Sequence, residues 1–263
     1  MKASNSGIQC FKQCRRMYQL KYLYGLEPVQ TADSLKRGTQ YHELVEGLLK
    51  GNSSFEDCDD PKIKAMATAF QMYILPLLGN VEAEEEWFEY LTPSGHKVIG
   101  RIDARTGNKE LVEHKTTSGL IDGAYFQKLE FDEQIPTYML AYGAYWINYT
   151  VCSVPSIRQK KNESDEEFYL RCVEWYATDT SQKITMVRLN RTQEELERFL
   201  GEQDEILNEM ENCKHFYRNP NQCCRWNRMC EYSSVCMNYD PAQEYVQFKK
   251  REDVYESSGE AEI

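Results

Sequence analysis

The chain has 263 residues, 41% of them hydrophobic, and a formal net charge of −11. The apolar share supplies a full core and excludes a disordered chain, and the length suits one large domain or a domain with an appended module. The net negative charge excludes a nonspecific nucleic-acid coat, and no run approaches the ~18 apolar residues that span a bilayer, so no membrane partner is expected.

The first residues, "MKASNSGIQCFKQCRR", carry no apolar signal core, and a cytoplasmic location is expected. Residues 8–24 place Ile8, Phe11, Tyr18, Tyr22 and Leu23 at a period of three to four, which predicts a helix broken by "GLEPV". A second helix is expected over 34–50, with Leu44, Val45, Leu48 and Leu49 as its apolar face. "GNSSFEDCDD" reads as a loop. Pro61 then opens a third helix over 61–78.

From residue 84 the period changes to two. "EEEWFEYLT", "KVIGRIDAR" and "ELVEHKTT" are three strand candidates, joined by the turn compositions "PSGH" and "TGNK". Residues 130–147 are expected to be helical, with Pro136 as a kink or an early-turn residue. "TVCSVPSIRQ", "EFYLRCVEWYA" and "KITMVRLNR" read as further strands. Thr192 and Glu195 form a capping-box pattern opening a long helix over 193–212. A Cys-rich segment follows, and residues 240–263 are expected to form a disordered acidic tail behind one domain of residues 1–239. This order of elements predicts an α/β or α+β layer fold around a mixed sheet.

Charge is uneven along the chain. Residues 1–40 hold seven Lys and Arg against Glu27 and Asp33, and residues 214–229 hold Lys214, Arg218, Arg225 and Arg228 with no acid. Two basic ends on an acidic body suit a groove for a polyanion, and also match the ordinary fluctuation of charge along a soluble chain.

The strand pair "GRIDARTGNKELVEHKTT" places Asp103, Glu113 and Lys115 where a core hairpin is normally apolar. Alternation puts Glu113 and Lys115 on one face and the His114 ring on the other. Across the turn, Asp103 falls beside Glu113 or one diagonal step away. Three readings fit: a buried salt bridge, a solvated face, or a site where two hard carboxylates hold Mg²⁺ or Mn²⁺ beside a lysine.

The pattern G-x-x-D from Gly100 to Asp103 is followed by E-x-K from Glu113 to Lys115. It is preceded by a helical His42 in "RGTQYHELVEG" and followed by Gln134 and Tyr138 in "EQIPTYMLAY". This set resembles the PD-(D/E)xK nuclease superfamily, and most closely its RecB/AddB-like branch. The resemblance implies a restriction-endonuclease-like α/β fold, a mixed β-sheet flanked by helices. It implies Asp103, Glu113 and His42 as side-chain ligands of Mg²⁺ or Mn²⁺, with the backbone carbonyl of His114 as a further ligand. Lys115 would position the attacking water or stabilise charge, while Gln134 and Tyr138 would support the site and contact DNA. Residue 114 is usually apolar in the family, and here it is His114. Glu46, one turn after His42, is read as a solvated helix residue.

The ten cysteines do not suit disulfides in a reducing compartment. Cys152 and Cys172 lie in strand-like apolar runs and read as core thiols. "NQCCRWNRMCEYSSVC" gathers Cys223, Cys224, Cys230 and Cys236, and "CFKQCRRMY" holds Cys10 and Cys14. In the AddB-like branch, one N-terminal and three C-terminal cysteines hold a [4Fe–4S] cluster that joins the ends of the chain. The resemblance assigns Cys14, Cys223, Cys230 and Cys236 to it, with Cys224 as an alternative to Cys223. The usual short Cys-x-x-Cys step is absent, since six residues separate Cys223 from Cys230. Structural Zn²⁺ on four cysteines, or unligated thiols, remain open at this level.

The whole pattern implies a metal-dependent DNA exonuclease acting on DNA ends or single strands. It is similar to stand-alone nucleases of phage recombination and CRISPR adaptation, and implies a protein partner in one of those processes. No GxxxxGK[ST] motor motif occurs. The alternative is a catalytically silent DNA-binding or assembly subunit on the same fold. The intact Asp, Glu and Lys set speaks against it.

Overall fold

A computed structural model describes residues 1–29, 33–51, 55, 58–225, 228–238 and 248–250. In chain order, strand β1 (Lys2–Ser4) leads into α1 (Asn5–Gln13), capped by Ser4 Oγ accepting from Gly7 N. Then follow α2 (Arg15–Tyr18), a π-helical turn (Gln19–Leu23) and β2 (Leu26–Pro28). Next come α3 (Asp33–Leu49), α4 (Pro61–Tyr73) and α5 (Leu75–Leu78). Pro61 occupies the first turn of α4, where a missing N–H costs nothing. The central strands are β3 (Val81–Leu91), β4 (Lys97–Thr106) and β5 (Leu111–Thr117).

Two short helices follow, α6 (Gly123–Leu129) and α7 (Gln134–Tyr142); Gly143, with φ of 62°, ends the second. Then come β6 (Trp146–Ser153), α8 (Asp165–Ala177), β7 (Ile184–Asn190) and α9 (Gln193–Glu211). The C-terminal part holds α10 (Pro220–Cys223), β8 (Cys224–Arg225), β9 (Arg228–Met229), α11 (Ser233–Asn238) and β10 (Phe248–Lys250).

Among the described residues, six strands form one mixed sheet ordered β1-β4-β5-β6-β7, with β3 on β4. Alternate residues feed two cores. Val112, Cys152 and Ile184 pack with α3, α4 and α8, while Leu111, Ile147, Tyr149 and Val151 pack with α6, α7 and α9. The expected fold class, a mixed sheet flanked by helices, is what the chain forms. No helix among the described residues is long and apolar enough to cross a membrane.

The sheet forks at β4. Its long edge pairs with β3 from Lys97 to Thr106. On the other edge, β1 pairs only with Lys97–Ile99 and β5 only at Ala104↔Val112 and Arg105↔Leu111. Beyond Val112, β5 leaves β4 and runs parallel to β6 from Leu111 to Thr117.

Several expectations need correction. Residues 8–24 are not one helix: Cys14 is extended between α1 and α2, and the last turn is π-helical. Residues 167–177 are not a strand: α8 buries Phe168, Cys172 and Tyr176 on one helical face, and Ser164 with Glu167 forms a full capping box. Cys172 is therefore a core thiol on a helix. Residues 130–147 are not one helix. Asp132 Oδ1 accepts from Gln134 N at 2.8 Å and Ile135 N at 3.2 Å, starting α7 afresh, and Gly143 ends it before β6. Pro136 sits in its first turn. Within the stretch expected to be a disordered tail, Phe248–Lys250 pairs antiparallel with Leu26–Pro28, and the Phe248 ring stacks on Tyr232 at 5.2 Å. Burial of that aromatic outweighs the polar composition around it. Residues 240–247 and 251–263 lie outside the described residues.

Candidate active site

The fork gathers the predicted site. Extending the β4–β5 register places Asp103 opposite Glu113, but the backbone ladder ends one pair earlier. Asp103 Oδ2 instead accepts the His114 N–H at 2.8 Å, so a carboxylate replaces a strand carbonyl. A residue in a strand directs its N–H and C=O to the same edge. The His114 carbonyl therefore faces the edge that β4 has vacated. Its ring points into the opposite core, with Nδ1 at 2.6 Å from Thr150 Oγ1 and the ring 5.2 Å from Phe70. Burial depresses this imidazole to about 4 and keeps it neutral.

His42, on α3, stands with Nδ1 at 3.4 Å from Asp103 Oδ1. Burial opposes the imidazolium, but the hydrogen bond and charge of Asp103 outweigh it and raise the His42 pKa. Asp103 responds in kind. Burial works against its charge, yet His42, with His114 and Lys115 behind it, holds the carboxyl well below the usual range.

Glu113 is 1% exposed and goes the other way. Burial, then the charge of Asp103, pushes it above the ordinary carboxylate value. Lys115 Nζ bonds Glu113 Oε1 and reaches Gln134 Oε1 at 2.8 Å. Gln134 Nε2 in turn donates to the Tyr138 hydroxyl. These last two residues lie one turn apart on α7, so one helix face positions the lysine.

Gly100 has a steric reason. A Cβ there would lie 2.5 Å from the Phe88 ring, which crosses β4 and packs edge-on against Tyr138 at 5.6 Å. Glu46 is in an ion pair with Lys50, one turn further on. Sequence reasoning missed Asp132, which starts α7, and Thr150, which fixes His114. The local signal for Asp132 was an Asp two residues before a helical run; Thr150 gave none.

Among the described residues, no group of three or more His, Cys, Asp or Glu side chains is drawn into a metal-ligand cluster. The donors nevertheless fit a hard divalent cation. Two carboxylates and an imidazole border the fork, and Glu113 Oε2 is buried with no hydrogen-bond partner. Lys115 answers only the other oxygen, Oε1, so Oε2 is open to a further electropositive partner.

The four assigned cysteines, Cys14, Cys223, Cys230 and Cys236, line one cavity with Arg16, Arg218 and Tyr232. Cys224 is exposed and does not line it. Burial raises the thiols of Cys230 and Cys236, the second against the pull of Arg16 and Arg218. The surrounding segments are also joined directly. Asn219 Nδ2 donates to Gln13 O at 2.9 Å, Tyr232 OH to Leu26 O at 2.9 Å, and Arg16 N to Tyr217 O at 3.2 Å.

Fold and fork together give a mixed sheet with two carboxylates and a lysine gathered at one edge. The model of the PD-(D/E)XK nuclease superfamily matches residues 2–76 and 66–237, and the chain belongs to that superfamily. No curated protein matches the chain. Among solved structures, it is similar to an exonuclease-designated protein from Eubacterium rectale, at 13% identity and a TM-score of 0.49 over 86% of this chain and 88% of that one. A phage-related exonuclease from Haemophilus somnus 129PT matches at 15% identity and a TM-score of 0.40, over 80% and 93%. An alkaline exonuclease from Laribacter hongkongensis matches at 14% identity and a TM-score of 0.37, over 80% and 88%.

Proposed function

We propose that this protein is a divalent-metal-dependent DNA exonuclease of the RecB/AddB-like branch. It would act on DNA ends or single strands in recombination, repair or phage DNA processing, alongside a recombination or CRISPR-adaptation protein. The observation that carries the reading is the forked sheet edge, where Asp103, Glu113 and Lys115 converge and Glu113 Oε2 is left unpaired.

His42, Asp103, Glu113 and the His114 carbonyl would hold Mg²⁺ or Mn²⁺. When bound, such an ion supplies Lewis-acid polarisation of the scissile phosphate and an activated water. The chain's own part is electrostatic and geometric. Asp103 stays anionic under the pull of His42. Lys115, its charge held by Glu113 and Asp103, places an ammonium at the mouth of the fork, where the charge of an attacked phosphate develops. Gln134 fixes that ammonium and Tyr138 fixes Gln134.

We further propose that Cys14, Cys223, Cys230 and Cys236 hold a [4Fe–4S] cluster that ties the basic chain ends together beside the site. Support comes from their shared cavity, which offers four thiols, the donor set such clusters take.

The direct test digests DNA labelled at the 5′ or 3′ end, single- and double-stranded, in Mg²⁺ or Mn²⁺. Loss of label from one end, abolished by chelator, is expected. Label retained under every condition contradicts the reading and favours a silent DNA-binding subunit.

A further inference from the structure

Phe131 stands in the turn between α6 and α7 with 87% of its surface exposed, more than any other large hydrophobic side chain among the described residues. The turn that presents it is well fixed. Phe131 N donates to Lys128 O and Asp132 N to Leu129 O, both at 3.2 Å, and the Asp132 carboxylate then caps α7. A single exposed aromatic is ordinary on a protein surface; this one counts because of the groove it borders.

The ring borders an open groove of about 470 Å³ that it shares with Lys115, Gln134, Tyr125 and Lys128. The groove therefore runs directly into the proposed catalytic fork. Its cations are Lys115 and Lys128, the latter with Nζ 3.7 Å above the Tyr125 ring. Its acids are already engaged: Glu133 by Gln9 and Lys12, and Asp132 by the first N–H groups of α7. Lysines beside an exposed aromatic face are the chemistry that holds a single nucleic-acid strand, phosphates on the cations and a base on the ring. Bases inside a duplex have both faces covered by their neighbours, whereas an unpaired nucleotide offers a free face.

We infer that Phe131 is a base-stacking residue, which seats one unpaired nucleotide of a single DNA strand beside Lys115. The inference rests on the nuclease reading and adds to it the form of the substrate, an unpaired strand over a closed duplex.

The test is a binding titration of the full chain, in EDTA so that no strand is cut. The probe is a short single-stranded oligonucleotide carrying 2-aminopurine, whose fluorescence is quenched by stacking. Phe131→Ala should weaken binding about tenfold and remove the quenching, while Phe131→Trp keeps both. Lys128→Ala should weaken binding and reduce its salt dependence by about one unit of slope. Affinity for a covalently closed circular duplex should change little in Phe131→Ala. Single-strand binding by Phe131→Ala equal to wild type overturns the inference, as does an equal loss for single strand and duplex. Digestion by the wild-type protein in Mn²⁺ reports separately. DNA cleavage with no effect of Phe131→Ala removes only the stacking role, whereas no cleavage at all removes the nuclease reading.

Discussion

Asp103 and Glu113 share one fork and are driven in opposite directions, the first down by His42 and the second up by burial and by Asp103 itself. Two carboxylates in that position repel, and Lys115 offsets this only in part, so a divalent cation bound between them would relieve what remains. Mn²⁺ should therefore raise the melting temperature of the wild-type protein, by an amount equivalent to about 2.7 kcal/mol at a hundredfold excess over Kd. Glu113→Gln should lose most of that shift, which differential scanning fluorimetry reads without any DNA present. Gln134 acts through Lys115. Gln134→Ala should slow single-turnover cleavage about tenfold to a hundredfold, the usual cost of a displaced catalytic group, with Gln134→Glu recovering part of the rate. Strand alternation already separated Glu113 and Lys115 from His114 in the sequence, and the family resemblance suggested Asp103 and Gln134 beside them. What alternation cannot give is the hydrogen bond from His114 N to Asp103, since it exists only where a backbone ladder fails.

At the level of elements, β3, β4 and β5 could be read directly. They are short β-favouring runs of period near two, and both connecting turns have turn compositions. The fork could not be read, because its cause is remote. Lys97–Ile99 is taken by β1 from the start of the chain, a strand of three residues with no pattern of its own. The misreading of α8 has a different origin. Its Phe, Tyr, Val and Trp content favours strands, and the capping box at Ser164 and Glu167 was the overlooked counter-signal. The same device at Thr192 and Glu195 correctly opened α9.

Helix α9 is clamped to the β3–β4 turn by Asp204, which accepts from Ser94 N at 3.1 Å and Ser94 Oγ at 2.6 Å. Burial would raise Asp204, but the bonds from Ser94 and Thr92 outweigh it and depress its pKa below 3.8. A depressed folded value adds stability above the unfolded value and loses it as pH falls through the folded one. Asp204→Asn should thus cost about 1–3 kcal/mol in urea denaturation at neutral pH. The gap should close as pH drops below about 4.

For the whole molecule, the chain ends meet through β2 with β10, Tyr232 on Leu26, and the cavity lined by four cysteines. The family resemblance suggested which thiols belong together, although their spacing departs from the family's, and the fold separates Cys223, inside the cavity, from Cys224, outside it. Protein purified without oxygen should be brown, with broad absorbance near about 400 nm. Cys224→Ser should keep that colour, while Cys14→Ser and Cys223→Ser lose it. Colourless protein with stoichiometric zinc contradicts the cluster and leaves the joining of the ends intact. The central claim concerns the fork, and one comparison tests it most directly: release of label from end-labelled DNA in Mn²⁺ by the wild-type protein and by Lys115→Ala, both verified as folded by circular dichroism. The account predicts that the wild type degrades the DNA and that Lys115→Ala does not. A Lys115→Ala protein that cuts as fast as wild type would contradict it.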